Sequence, residues 1–164
     1  MGHLVAREEL LALRLQWRAE GLKVAFTNGV FDILHRGHVE YLQKARGLAD
    51  LLIVGLNTDD SVRRLKGEGR PIVPQEDRAV ILSALSCVDY IAYFEEDTPA
   101  NLIRAIQPDI LVKGADYKIE EIVGHDFVQA AGGRVERIAL TPGRATRDVI
   151  ATILNRFCKS NEDS

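Results

Sequence analysis

The sequence predicts an α/β domain, a doubly wound parallel sheet of five strands with helices on both faces. Two observations carry this expectation. Short apolar runs of strand length alternate with segments of helical periodicity from Lys23 onward, the pattern of strands joined by crossover helices. Glycine and proline punctuate the junctions, where a helix or strand has to stop. At 164 residues the chain fits one compact domain, 1–164, able to bury about two-thirds of its unfolded surface.

Apolar residues at 10, 11, 13 and 17 predict an amphipathic helix over about 6–19, ended by Gly21, so 1–21 reads as an N-terminal helical segment. Lys23 to Thr27 is the first strand. Further strands are expected near 51–55, 89–94, 109–113 and 134–139, and helices near 37–47, 59–66, 75–86, 99–107, 120–131 and 146–158. Thr98-Pro99 sets a capping hydroxyl before a proline at the first helical position, and Pro108 stops that helix. Gly132-Gly133 supplies the left-handed turn that closes the next one. Val149, Ile150, Ile153, Leu154 and Phe157 recur at helical spacing, so the last helix is expected to lay one face on the sheet. The polar residues 159–164 have nothing to bury and are expected to form a disordered tail.

Composition removes several function classes. Lys and Arg total 21 against 24 Asp and Glu, so the chain lacks the basic excess of a dedicated nucleic-acid binder. A small substrate is expected. Cys87 and Cys158 lack the spacings of a disulfide framework or a structural zinc site. No apolar run approaches the ~20 residues of a membrane span, and no apolar signal core follows Met1. A cytoplasmic protein without a membrane partner is expected.

The densest chemical signal is Thr27-Asn28-Gly29-Val30-Phe31-Asp32-Ile33-Leu34-His35-Arg36-Gly37-His38, where the first strand ends and a helix begins. Ligands of open α/β sheets bind at such exits. Gly29 lets backbone approach a ligand, Gly37 clears the helix N-terminus, and the N–H groups there attract phosphate. His35 and His38 flank that anion site. A zinc pair would need a third ligand, and no evident spacing supplies one, so the reading favours imidazole donors stabilising charge in phosphoryl transfer.

Phe31-Asp32 followed by His35-Arg36-Gly37-His38 resembles the signature of the cytidylyltransferase-like nucleotidyltransferases, with their H-x-G-H motif. The resemblance runs from about Lys23 to Leu154 and implies a Rossmann-like sheet ordered 3-2-1-4-5. Within that superfamily the chain is similar to the D-glycero-β-D-manno-heptose 1-phosphate adenylyltransferases. The run Val112-Lys113-Gly114-Ala115-Asp116-Tyr117 carries that narrower likeness; Lys113 can meet phosphate, and Asp116 can accept hydroxyl hydrogen bonds.

The resemblance also distributes roles. It places Gly55-Leu56-Asn57-Thr58-Asp59 beside sugar phosphate and nucleotide, although strand exit and helix capping explain that segment equally well. Arg63 to Pro71 is cationic with two glycines and is expected to act as a mobile lid; Lys66 matches the family's phosphate-loop lysine and Arg78 its arginine. Thr146 stands where relatives carry the second residue of Ser-Thr, with Ala145 in the serine position. Arg144 or Arg147 is a candidate to compensate. The expected nucleotide site is therefore Thr27, Asn28, Gly29, Phe31, Gly37, His38, Arg78, Lys113, Gly114 and Thr146. His35, His38 and Lys66 are the catalytic set, and Asp32, Asn57, Asp59, Lys113 and Asp116 face the sugar phosphate.

The implied reaction joins ATP to a heptose 1-phosphate and releases pyrophosphate, with Mg²⁺ arriving on the nucleotide. The resemblance further implies a homodimer, with Val80 to Val88 as the candidate interface, and a separate kinase and phosphatase that supply the substrate. Two alternatives stand beside it: a CTP-dependent cytidylyltransferase for a polyol or amino-alcohol phosphate, and a catalytically silent nucleotide-binding protein.

Overall fold

The computed structural model describes residues 1–143 and 145–158. The expected tail at 159–164 and Arg144 lie outside the described residues. Six parallel strands form the sheet: β1 (His3–Leu4), β2 (Val24–Gly29), β3 (Leu51–Asn57), β4 (Tyr90–Phe94), β5 (Ile110–Gly114) and β6 (Arg134–Ile138), in the order β1-β4-β3-β2-β5-β6. The expected count of five is thus corrected to six. The five longer strands run β4-β3-β2-β5-β6, which is 3-2-1-4-5 when counting starts at Val24. The extra edge strand is two residues long, too short to show any alternation. Backbone bonds from Gly2 N–H to Ser83 O (2.7 Å), His3 N–H to Asp89 O (2.9 Å) and Val5 N–H to Ile91 O (3.0 Å) hold it beside β4.

The helices are α1 (Arg7–Ala19), α2 (Arg36–Arg46), α3 (Asp59–Lys66), α4 (Gln75–Ser83), α5 (Ala100–Ile106), α6 (His125–Ala130) and α7 (Thr146–Phe157), with a short 3₁₀ turn at Ile119–Glu121. Alternate strand residues point to opposite faces. Ala25, Leu52, Val54, Ile110 and Val112 meet Leu42 and Ala45 of α2 and Ala79 and Leu82 of α4. On the other face Val24, Phe26, Ile53 and Leu111 meet Leu10 and Trp17 of α1, Ile103 and Ile106 of α5, and Val128 of α6. Each fully buried Leu, Ile, Val or Phe contributes about 1.5–3 kcal/mol relative to exposure. This sandwich fixes the C-terminal ends of β2, β3 and β5, which carry the site.

Three expectations about helices are corrected. The segment 120–131 is not one helix: Gly124, at φ 90°, adopts a left-handed conformation that side chains disfavour and separates the 3₁₀ turn from α6. At α5 the cap is Pro99, with no side-chain capping bond, so Thr98 does not cap it. Gly132 does take the left-handed turn after α6, at φ 83°.

The largest correction concerns α7, which buries none of its residues. Ile153, Leu154 and Phe157 are 47%, 52% and 76% exposed. The physical reason is that α1, α2, α4, α5 and α6 already cover both faces of the sheet. Periodicity reveals that a helix is amphipathic, and not what its apolar face meets.

Candidate active site

The site is built on the turn from β2 into α2. Gly29 ends the strand, and a Cβ there would stand 3.0 Å from the Phe31 ring, so glycine lets that ring fold back over the strand end without crowding. Phe31 and Ile33 take left-handed φ values of 49° and 50°, an uncommon state for bulky residues and an outlier for a β-branched one. This kinked turn delivers His35 as the extended residue that caps α2, and the His38 N–H donates to the His35 carbonyl at 2.9 Å. The two imidazoles stack with centroids 3.8 Å apart and planes inclined by 20°. Phe31 meets His38 edge-on at 5.3 Å.

Burial, reinforced by His35 and opposed by Asp32, pushes the His38 imidazolium down from 6.5 to about 4. His38 is thus neutral at pH 7 and sits where the partial positive charge of the α2 N-terminus already attracts an anion. A pH dependence of stability follows. The unfolded chain takes up this proton below pH 6.5 and the folded chain only near 4, so stability is intact above 6.5 and falls as pH drops through that window, by up to about 3 kcal/mol. Urea unfolding of the protein and of His38→Gln at pH 7 and pH 4.5 checks this: the variant is expected to lose distinctly less stability on acidification.

A cleft of about 600 Å³ opens beside the histidines at the ends of β2, β3 and β5, walled on one side by Ala145, Thr146 and Arg147. Its wall is cationic, with Lys66, Arg70, Lys113 and Arg147 all contributing. Lys113 donates to the Asn28 side-chain carbonyl. Burial lowers its ammonium to about 8, against the pull of Asp116. At Gly114 a Cβ would collide with the Asp116 carboxylate, so glycine lets that carboxylate fold back toward β5. Thr146, the first residue of α7, donates to the Asp32 carbonyl at 2.9 Å. Asp148 caps the same helix by accepting from the Ala145 N–H at 3.0 Å.

Most of the residues singled out by sequence converge here. Asn28, Gly29, Phe31, Asp32, His35, Gly37, His38, Asn57, Lys66, Lys113, Gly114, Asp116 and Thr146 all line the cleft. Three do not. Thr27 is fully buried, its hydroxyl 2.8 Å from the Tyr41 hydroxyl. Arg78 is 1% exposed and its guanidinium is spent on Val30, Asn57 and Val73 carbonyls and on Asp59. Asp59 answers that arginine at 2.8 Å instead of facing the cleft.

Asp32 reaches the cleft wall, but its side chain is fully buried and turned to the loop after α3. Residues not singled out, Tyr41, Arg70, Tyr117, Leu140 and Thr141, also line the cleft. Arg70 lies inside the cationic run that sequence marked as a lid; the run was the signal, and no single arginine in it stood out. The expected lid is only partly loose, because its Arg70–Val73 end is tied to Asp32. Among the described residues no three His, Cys, Asp or Glu side chains gather in a group that could hold a metal ion.

The chain is similar to known proteins. The bifunctional protein HldE of Citrifermentans bemidjiense is 55% identical over 96% of this chain, and that of Syntrophotalea carbinolica 56% identical over 92%. The chain spans about a third of the length of these relatives, 30% and 31%. Among solved structures, the lipopolysaccharide core biosynthesis protein from Thermoplasma volcanium has a TM-score of 0.60 at 30% identity, covering 74% of this chain and 98% of that one. Pantoate-beta-alanine ligase from Francisella tularensis, at 16% identity and TM-score 0.62 over 100% of this chain and 82% of its own, shares the fold. The cytidylyltransferase-like family profile matches residues 26–144, from the middle of β2 through the strand exits that build the cleft, and the chain belongs to that family.

Proposed function

We propose that the protein transfers AMP from Mg·ATP to D-glycero-β-D-manno-heptose 1-phosphate, giving ADP-heptose and pyrophosphate. The observation that carries this reading is the stacked His35–His38 pair at the α2 N-terminus, facing a cleft lined with Lys66 and Lys113. HldE relatives above 50% identity support the sugar, and the likeness to the lipopolysaccharide core biosynthesis protein of Thermoplasma volcanium supports the role in core biosynthesis. A phosphate oxygen of the sugar 1-phosphate attacks the α-phosphorus in line; its new P–O bond forms as the bond to the β-phosphate breaks, and pyrophosphate leaves. The attacking oxygen is already anionic, so no general base is needed, and catalysis rests on positioning and charge stabilisation.

His35 and His38 are assigned to the triphosphate, where imidazole donors meet charge that grows in the transition state. Lys66 and Thr146 flank the same phosphates. Asn57, Lys113 and Asp116 are assigned to the sugar phosphate. Mg²⁺ would arrive with the nucleotide and would supply neutralisation of the phosphate charge. Pyrophosphate release from ATP and CTP, each with heptose 1-phosphate, glycerol phosphate and choline phosphate, tests the reading. Turnover with ATP and the heptose is expected. Turnover only with CTP and a polyol or choline phosphate would transfer the assignment to a cytidylyltransferase, and nucleotide binding without turnover to a silent binding protein.

The reaction belongs in the cytoplasm, where ATP is made, and no helix among the described residues is long and apolar enough to cross a membrane. The proposed homodimer uses α4. Val80 and Ile81 are 67% and 42% exposed there, whereas Leu82 and Val88 belong to the core, which narrows the 80–88 interface to one helical face. Light scattering at micromolar concentration is expected to give twice the 18.2 kDa chain mass, and Val80→Glu to give the monomer.

A further inference from the structure

We propose that Asp32 is a positioning residue that pins the lid loop and the start of α7 to the His35–His38 turn, and does not itself bind the sugar. Its carboxylate is fully buried and takes three donors: Arg70 Nε at 2.7 Å, Ile72 N–H at 2.9 Å and Val73 N–H at 2.9 Å. A carboxylate offers about four acceptor sites, so little capacity is left for substrate hydroxyls. Its main-chain carbonyl takes a fourth donor, the Thr146 hydroxyl at 2.9 Å. One residue therefore ties together segments 38 to 41 and 114 positions apart in sequence.

The surroundings fit a fixed strut. Asp32 lies between Phe31 and Ile33, both held in left-handed conformations that persist only where the neighbouring structure enforces them. Burial opposes ionisation, yet the Ile72 and Val73 N–H groups and the Arg70 guanidinium hold the carboxyl below its ordinary value, so the anchor stays charged at neutral pH. The tether matters because of what it leaves loose. Between Lys66, the last residue of α3, and Arg70 the chain holds Gly67 at φ 91° and Gly69, where an added Cβ would meet open space. With its Arg70–Val73 end fixed, this short arc keeps Lys66 and Arg70 on the cleft wall together. Among the described residues Asp32 engages only the Nε of Arg70, and the rest of that planar fork is free to grip a phosphate.

This inference rests on the proposed reaction only in assigning the loop to ATP, and one arm of its test needs no turnover. Asp32→Asn keeps the size and one acceptor oxygen but removes the charge. In the ligand-free variant, amide exchange at Ile72 and Val73 is expected to quicken by about 10-fold or more, as charge-assisted bonds to their N–H groups weaken. Mg·ATP affinity by calorimetry and kcat are each expected to fall by about 10- to 100-fold as Lys66 and Arg70 lose their places, while KM for the sugar phosphate stays within about 2-fold.

Arg70→Met is expected to show the same split, and the double variant to lose less than the product of the two single losses, since Arg70 acts from the position that Asp32 gives it. Arg70 is partly exposed, so its variant carries the kinetic test if Asp32→Asn does not fold. A raised KM for the sugar phosphate with unchanged ATP affinity, multiplicative effects in the double variant, or unchanged exchange at Ile72 and Val73 would each overturn the proposal.

Discussion

Replacing His38 with alanine is expected to lower kcat by about 10²- to 10³-fold, the loss that follows removal of one donor to a developing oxyanion. The geometry explains why so small a change costs so much. His38 stands in the first turn of α2, braced against His35 at 3.8 Å and against the edge of Phe31 at 5.3 Å. It needs little reorganisation when charge moves onto the departing pyrophosphate. Its folded-state pKa of about 4 means that it meets the nucleotide as a neutral donor, and the incoming anion draws that value upward. The interaction therefore strengthens along the reaction coordinate, which lowers the barrier more than it improves substrate binding. KM for ATP and for the sugar phosphate is expected to change by less than about 5-fold. The melting temperature is expected to hold or rise slightly at pH 5, where the buried imidazole is a liability. Normal turnover in a destabilised variant would make His38 a packing residue and sink the catalytic assignment.

What could be read from sequence divides along a physical line. The strand exits and the His35–His38 turn were legible because their information is local: three positions of spacing put two imidazoles on one helix turn, and glycines at 29 and 37 flank it. The parallel sheet was legible because strands buried on both faces read as continuous apolar runs such as Leu51 to Leu56. Strand β1 was not, since two residues carry no period.

The fates of charged side chains were least legible. Charged residues are seldom fully buried unless paired, and the resemblance assigns both Asp32 and Arg78 to ligands. Apart from the Val73 carbonyl, five residues from Arg78, their side-chain partners are carbonyls, amides and charged groups at separations of 19 to 48 residues, which spacing along the chain does not reveal. The same holds for α7, whose period was correct and whose partner was not.

Arg78→Met is expected to be the most destabilising single substitution near the site. The Arg78 side chain is 1% exposed, and its guanidinium donates to Val73 O at 3.0 Å, Val30 O at 2.6 Å, Asn57 O at 2.9 Å and the Asp59 carboxylate at 2.8 Å. One fork thus closes the exits of β2 and β3, the start of α3 and the end of the lid loop. Methionine fills most of the volume but leaves three carbonyls and a carboxylate without their donor. Stranding one partner of a buried pair costs about 3–5 kcal/mol, and the unmet carbonyls work in the same direction. At about 2–4 °C per kcal/mol for a domain of this size, the melting temperature should fall by roughly 10–15 °C. Lysine is a poor substitute, because a single ammonium cannot reach donors spread over a planar fork, so Arg78→Lys should recover less than half of the loss. Saturating Mg·ATP should raise the melting temperature of wild type and variant by similar amounts if the arginine only holds the scaffold. A variant that melts normally but loses ATP affinity would return Arg78 to the nucleotide site.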